Sequence, residues 1–423
     1  MMRKGIRVSV VLMSILLSAG AALGQAPAAT LDLYIEEALE RNPEIRALEK
    51  NAAAARAEVP RAGALPDPVL KLGLMNLPVN SFDFDQEPMT GKQAMLTQRV
   101  PFPGTLGLQT DISRQMTTMA EAQLRAKENE ITRKVKEVVF NLAYLKRAIR
   151  LTEENRTTID QFLHVAQKKY EVGGGLQQDV LRAQVELSKM NENIILLQRE
   201  ERSLKAMLNT LVDRPPGDSV DGVSTLAPTP VGWSEDSLVA LAQEHNPTLA
   251  VMRAQIETAT SMRKLAKKSY LPHFDFSVAY TQRENIMDRT MHDFFSAQVG
   301  VNLPLWFWRK QNKKVEEAGY RMTQAHEAWE AARNTVSLQI ADLEIEREEN
   351  ERLIDLYRNA ILPQGEQSLD AALTAYEVNK VDFLTLLTIQ QRLFDDEMAY
   401  ERVVANHEVV LAKIEEVVGK RVF

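Results

Sequence analysis

Two spacings of apolar residues alternate along this chain. The first is helical. Ile131, Val135, Val138, Leu142, Leu145 and Ile149 step by four and three, the repeat of a heptad seam. The run from Leu108 to Val172 holds neither Gly nor Pro, and as one helix it would span about 100 Å. After Gly173-Gly174-Gly175 the spacing resumes with Leu187, Met190, Ile194, Leu197, Leu204, Leu208 and Leu211. Val336, Ile340, Leu343, Ile354, Tyr357 and Ile361 predict a third long helix, and Leu386, Ile389, Leu393, Tyr400, Val403, Val410, Ile414 and Val417 a fourth. Pro363 sits within the third. It predicts a kink there, because proline lacks the N–H and its ring clashes with the preceding turn.

The second spacing is two. Phe274, Phe276, Val278 and Tyr280 alternate with Asp275, Ser277, Ala279 and Thr281, and Phe295, Ala297, Val299, Val301 and Leu303 with Ser296, Gln298, Gly300 and Asn302. Rougher alternation surrounds Leu70, Leu72 and Leu74, and then Leu96, Val100 and Phe102. Strands are expected at about 68–76, 94–102, 273–282 and 294–303. Each is near the ten or so residues that a tilted strand needs to cross a bilayer. Such strands also suit a half-buried soluble sheet, but helices of this length leave no second layer for one. Four strands cannot close a barrel, since the smallest membrane barrels use about eight. Open edges in lipid would strand backbone groups, so several copies must share one barrel, two and three both being compatible with the pattern. Pro66, Pro68, Pro101, Pro103, Pro272 and Pro304 mark the helix–strand junctions. Trp306, Phe307 and Trp308, followed by Arg309 and Lys310, fit a membrane girdle at headgroup level.

The chain is written twice. Asn42-Pro43 returns as Asn246-Pro247, Leu65-Pro66 as Leu271-Pro272, Tyr170-Glu171-Val172 as Tyr376-Glu377-Val378, and Ala183-Gln184 as Ile389-Gln390. The offset holds near about 205 residues throughout. The expected division is a signal peptide at 1–24, a first repeat at 25–212, a linker at 213–235 and a second repeat at 236–423. The signal reading rests on Arg3, Lys4 and Arg7, the apolar run Val8 to Leu17 and the small-residue site Ala22-Leu23-Gly24, with a second cut site after Ala28.

Composition narrows the chemistry. With 423 residues and no cysteine, the chain has no disulfide, thiolate metal site or lipidated N-terminal cysteine. A net charge of −7 gives no nucleic-acid footprint. The six histidines are scattered, His326-Glu327 lacks a second zinc-ligating histidine, and the triple glycine precedes no Lys-Ser/Thr pair. No catalytic, cofactor or metal site is expected. Met75, Met89, Met95, Met116, Met119, Met287 and Met291 gather around the strands and outer loops; thioethers suit Cu(I), and methionine equally fills gaps in a core. A secreted coiled-coil scaffold would keep the heptads but has no use for four alternating strands.

The export signal, the duplicated helix–strand–strand–helix unit and the signature Tyr170, Gly173, Asp179, Ala183 and Gln184 together resemble the TolC family of outer-membrane efflux factors, from about Leu31 to Val418. The resemblance implies a mainly α chain with a membrane β segment. Three copies would form a twelve-stranded β-barrel in the outer membrane of a Gram-negative bacterium, continuous with a periplasmic α-barrel of long coiled-coil helices. The linker and chain ends would make an equatorial belt. Such proteins are passive exit ducts for an inner-membrane pump, joined through a periplasmic adaptor, and carry drugs or metal ions. The turn Gly173, Gly174, Gly175 and Leu176 and its counterpart Asn379, Lys380 and Val381 would be the adaptor-docking tips. Asn379 replaces the usual glycine and tolerates the left-handed conformation. Thr385 and Thr388 stand where acid-gated relatives carry carboxylates, which leaves Asp179 and Asp382 as the other candidates for a pore constriction.

Overall fold

The structure, a computed structural model, describes residues 27–222 and 226–423, with side chains from residue 31. The expected signal peptide, 1–24, lies outside the described residues. The first half runs α1 (Pro27–Arg41), α2 (Pro43–Ala62), β1 (Val69–Met75), β2 (Gly91–Val100), α3 (Thr105–Glu171) and α4 (Gln177–Leu211). The second repeats the order as α5 (Glu235–His245), α6 (Pro247–Lys268), β3 (Phe274–Gln282), β4 (Phe294–Val301), α7 (Gln311–Leu356), a π-turn (Tyr357–Ile361), α8 (Leu362–Glu377) and α9 (Phe383–Val418). Among the described residues no helix is long and apolar enough to cross a membrane.

The two Asn-Pro pairs show how sequence sets these elements. Asn42 Oδ1 accepts from the Glu44 N–H at 2.9 Å, and Asn246 Oδ1 from the Leu249 N–H at 3.0 Å, so each caps the helix that its proline begins. Each amide also reaches the far end of its own repeat: Asn42 Nδ2 donates to Leu211 O at 3.0 Å and Asn246 Nδ2 to Val417 O at 2.6 Å. One side chain therefore satisfies the start of one helix and the last carbonyls of another.

The heptad seams are the core. Ile131, Val135, Val138 and Leu142 of α3 pack with Tyr34, Ala38 and Ile45 of α1 and α2 and with Leu208 of α4. In the second half Val336 and Ile340 of α7 pack with Leu238 and Leu249, and with Val410 and Ile414 of α9. His407, in a heptad slot of α9, is fully buried. Linker and chain ends are stitched together: Tyr34 donates to Asp221 O, Trp233 Nε1 to Val422 O, and Arg421 pairs with Asp32 at 3.0 Å.

The structure corrects the bounds of two strands and shows how the chain accommodates Pro363. The kink expected at Pro363 takes the form of a π-turn, in which the Leu362 N–H bonds to Tyr357 O. The wider turn absorbs the missing donor and the helix runs on. The second strand begins at Gly91 rather than 94, because Lys92 and Gln93 break the apolar alternation yet pair in register with Leu74 and Gly73. It ends at Val100 rather than 102, since Pro101 cannot donate to a ladder, and the fourth ends at Val301 rather than 303, where Asn302 accepts from the His273 N–H through its side chain at 2.5 Å.

Candidate functional site

The four strands form one antiparallel sheet in the order β1-β2-β3-β4. Register places Leu70 opposite Leu96, Val278 opposite Leu96 and Ala297, and Tyr280 opposite Phe295. Leu70, Leu72, Leu74, Phe276, Val299 and Val301 share that face, and it is bare: Leu72 and Phe295 are each 75% exposed. The opposite face is polar and internally bonded. Thr97 and Ser277 hydroxyls lie 2.9 Å apart, Gln93 Nε2 donates to Thr281 Oγ1 at 3.2 Å, and Arg99 Nε donates to Asp275 Oδ1 at 2.9 Å. A contiguous exposed apolar face of this extent marks an interaction surface. Strands β1 and β4 are edges with unpaired backbone, and Trp306, Phe307 and Trp308 lie exposed just beyond β4, their rings in edge contact at 5.9 and 5.1 Å.

Helix α3 carries the chain from this sheet to the turns at the other end, over its 67 residues and so about 100 Å away. Both turns have the same build. Gly173 and Asn379 take positive φ of 72° and 60°. At the first, Gly174 N–H bonds to Lys169 O and Gly173 N–H to Tyr170 O; at the second, Lys380 N–H bonds to Ala375 O and Asn379 N–H to Tyr376 O. This is the Schellman arrangement, with the left-handed residue closing each helix. In the structure Gly175 is the tightly packed glycine: a Cβ there would lie 3.0 Å from Lys169 Cβ and crowd it, whereas one on Gly174 would meet nothing nearer than 3.7 Å.

The residue that sequence reasoning missed is Lys169. Its ammonium donates to Tyr376 O at 2.5 Å and Asn379 Oδ1 at 2.8 Å, and lies 4.0 Å from the centre of the Tyr376 ring. The only signal for it was a basic residue in the last turn of a helix, where cations suit the dipole. Beneath the turns, Phe162 and Leu163 of α3, Ala183 of α4, Tyr376 of α8, and Phe383 and Leu386 of α9 form one core that includes the signature Ala183. Burial, and then the charge of Asp179, push the Tyr376 phenol pKa up.

The four expected constriction residues differ in what they do locally. Asp382 is the N-cap of α9, accepting from the Thr385 N–H at 2.8 Å. Hydrogen bonds from Thr385 hold its carboxyl below the ordinary aspartate range. Thr388 turns its hydroxyl onto Leu384 O at 2.8 Å, and both threonines are exposed. Thr388 also lines a groove of about 940 Å³ between α4 and α9, with Leu181, Arg182, Val185, Leu384 and Arg392. Leu176 and Val381 flank the turns, Leu176 exposed and Val381 packed on the core below. Among the described residues no group of three or more His, Asp or Glu side chains is placed to hold a metal ion.

Comparison with known proteins agrees in both halves. The sequence is similar, at 18% identity over 92% of this chain and 90% of the relative, to the cobalt-zinc-cadmium resistance protein CzcC of Cupriavidus metallidurans. The fold is that of the outer membrane protein VceC from Vibrio cholerae, with a TM-score of 0.78, 17% identity and coverage of 93% of this chain and 96% of that one. It is equally that of CusC, with a TM-score of 0.77, 15% identity and coverage of 93% and 92%. The model of the outer membrane efflux protein family matches residues 34–212 and 238–419, which take in both sets of strands, both turns and all the long helices; the chain belongs to the outer membrane efflux protein family.

Proposed function

We propose that the protein is the outer-membrane exit duct of a tripartite efflux system, passively conducting cargo delivered by an inner-membrane pump through a periplasmic adaptor. TolC-family channels are trimeric and work with such an adaptor and pump. The observation that carries the reading is the sheet: one exposed face that is mainly apolar, one mainly polar face, and two free edges. A secreted scaffold has no use for it. Pairing β4 of one copy with β1 of the next, three times round, closes twelve strands and satisfies every edge. The apolar face then meets lipid, the polar face lines the lumen, and Trp306, Phe307 and Trp308 form the girdle.

In this reading residues 1–24 are the export signal, and the linker 213–235 with the chain ends forms an equatorial belt on the periplasmic α-barrel. The turns Gly173–Leu176 and Asn379–Val381 are the tips that meet the adaptor, and Asp179, Asp382, Thr385 and Thr388 surround the narrowest passage. The cargo is heavy-metal ions or drugs, the first supported by similarity to CzcC.

Mass measurement of the detergent-extracted protein is expected to give a trimer that forms conducting pores in planar bilayers. A soluble monomer without conductance would end the reading. Docking is tested by Gly174→Leu, the tip glycine with room for a side chain. Normal trimer with lost efflux-dependent metal resistance supports docking there; unchanged resistance removes it.

A further inference from the structure

The start of α7 carries charge that the turn itself does not require. Arg309 and Lys310 follow the aromatic triad, and Lys314 lies in the first turn of α7; all three are exposed. None of them forms an ion pair among the described residues, whereas Lys313 is held by Glu316 at 2.6 Å. Helix α6 ends at the same place. Tyr270, just past it, donates its hydroxyl to Asn312 Oδ1 at 2.6 Å, which brings Lys264 and Lys267, also exposed and without ion pairs among the described residues, to this end of the fold.

The duplication supplies an internal control. The first repeat's own residues at this strand-to-helix junction, Pro101 to Thr110, include no charged side chain, and the cation seated on it, Lys268, is engaged with Pro103 O at 3.1 Å and the Phe102 ring. The geometry of the junction therefore does not demand a cluster of unpaired cations, and the second repeat has one for another reason. Their neighbours say which. Trp306, Phe307 and Trp308 stand as an exposed edge-packed block between the bare apolar face and the cations. Passing from the sheet to α7, a partner meets hydrocarbon contacts, then indoles, then positive charge. That order matches acyl chain, ester region and phosphate of a lipid leaflet. An acidic protein would match the cations alone and leave the graded approach unexplained.

We propose that Arg309, Lys310 and Lys314, supported by Lys264 and Lys267, bind the headgroup phosphates of anionic phospholipid in the leaflet from which the helices emerge, with one such site per protomer. The proposal rests on the membrane-spanning reading of the sheet. Each cation near an anionic leaflet is worth about 1 kcal/mol, or roughly fivefold in binding.

The experiment uses the full-length oligomer in nanodiscs holding phosphatidylglycerol and phosphatidylcholine in equal amounts, with retained lipid counted by native mass spectrometry on release. Wild type is expected to keep phosphatidylglycerol over phosphatidylcholine by roughly tenfold or more. The triple variant Arg309→Gln, Lys310→Gln, Lys314→Gln should lose that preference, while Arg352→Gln, an exposed cation farther along α7 paired with Glu348, keeps it. Equal retention of the two lipids by wild type overturns the proposal, as does a preference that survives in the triple variant. If the triple variant does not assemble, Lys310→Gln alone should lower the preference several-fold, and no change would overturn the proposal. Retention of lipid by neither protein, with no entry into nanodiscs, would instead overturn the membrane-spanning reading beneath it.

Discussion

Lys169 ties the turn that ends α3 to the turn that ends α8 by donating to the side-chain oxygen of Asn379 at 2.8 Å. The same ammonium satisfies the Tyr376 carbonyl and rests on the Tyr376 ring, so one cation holds three features of the second turn. Charge-assisted bonds contribute about 1.5–3 kcal/mol and a cation over an exposed ring about 0.5–1; solvent at this half-exposed site reduces both. Lys169→Met is expected to loosen the second turn by about 1–2 kcal/mol. Hydrogen exchange at the Lys380 amide, which closes that turn onto Ala375 O, should then quicken by roughly five- to thirtyfold. Unchanged exchange would show that the Schellman bonds alone hold the tip.

Asn42 and Asn246 should behave as a matched pair. Replacing either with Ala removes a cap worth about 1–2 kcal/mol and leaves Leu211 O or Val417 O without its donor. Replacing either with Asp keeps the acceptor and loses the donor. Thermal midpoints of the solubilised protein, followed by circular dichroism, are expected to fall in the order wild type, Asp, Ala at both sites. An Ala variant as stable as wild type would mean that Pro43 or Pro247 sets the helix start unaided.

How much of this was legible in the sequence follows from what kind of force set each feature. The seam at Ile131, Val135, Val138 and Leu142 was readable because burial acts on periodicity, and all four are buried. Ile149 was placed in the seam, yet it is half-buried and Ala148 is the core residue there. A straight helix drifts from a strict heptad over many turns, and the seam shifts with it. The duplication and the two turns were readable from Gly173 and from Asn379, a residue that tolerates positive φ. Lys169 was not, because its partners lie in the other repeat and no local rule joins them. Nor was the division of labour among the tip glycines, which depends on where the Lys169 side chain passes Gly175.

The sheet gives a direct test of which face meets lipid. Val278 lies on the exposed apolar face, and its neighbour Ser277 on the polar one, bonded to Thr97. Arginine on the lipid face near mid-bilayer costs roughly 2–4 kcal/mol, while a lumen position tolerates charge. Val278→Arg is therefore expected to reduce assembled trimer in the outer membrane well below Ser277→Arg. Equal yields of the two would argue for a soluble sheet.

Charge at the tip can be separated from structure at Asp382. Asn caps a helix as well as Asp does, so Asp382→Asn should leave α9 intact while removing the anion that Thr385 holds in its charged form. Reversal potentials in a salt gradient are expected to show reduced cation selectivity in the variant. No change would assign the remaining selectivity to Asp179.

Glu397 provides a pH-dependent probe of the helical barrel. Burial on α9 pushes its carboxyl pKa up; Arg147 opposes this, and Glu154, Glu366 and Glu401 add to it. Arg147 is itself engaged, with Nε 2.8 Å from Glu401 and a guanidinium nitrogen 3.9 Å from Glu154, so it cannot neutralise the whole group. An acid whose folded pKa is raised binds its proton more tightly when folded. Its contribution is fully present below the ordinary glutamate pKa of about 4.3 and is lost as pH rises through the raised value. At neutral pH the ionised group is therefore a cost to the fold. Glu397→Gln, which keeps the shape and removes the charge, is expected to raise the thermal midpoint at pH 7, the gain shrinking steadily as pH falls toward the ordinary glutamate range. Arg147→Gln should act in the opposite sense at neutral pH by releasing the full repulsion among the four carboxylates. A gain for Glu397→Gln that does not change with pH would trace the effect to packing, and a loss at neutral pH would show that the Arg147 pairing outweighs burial.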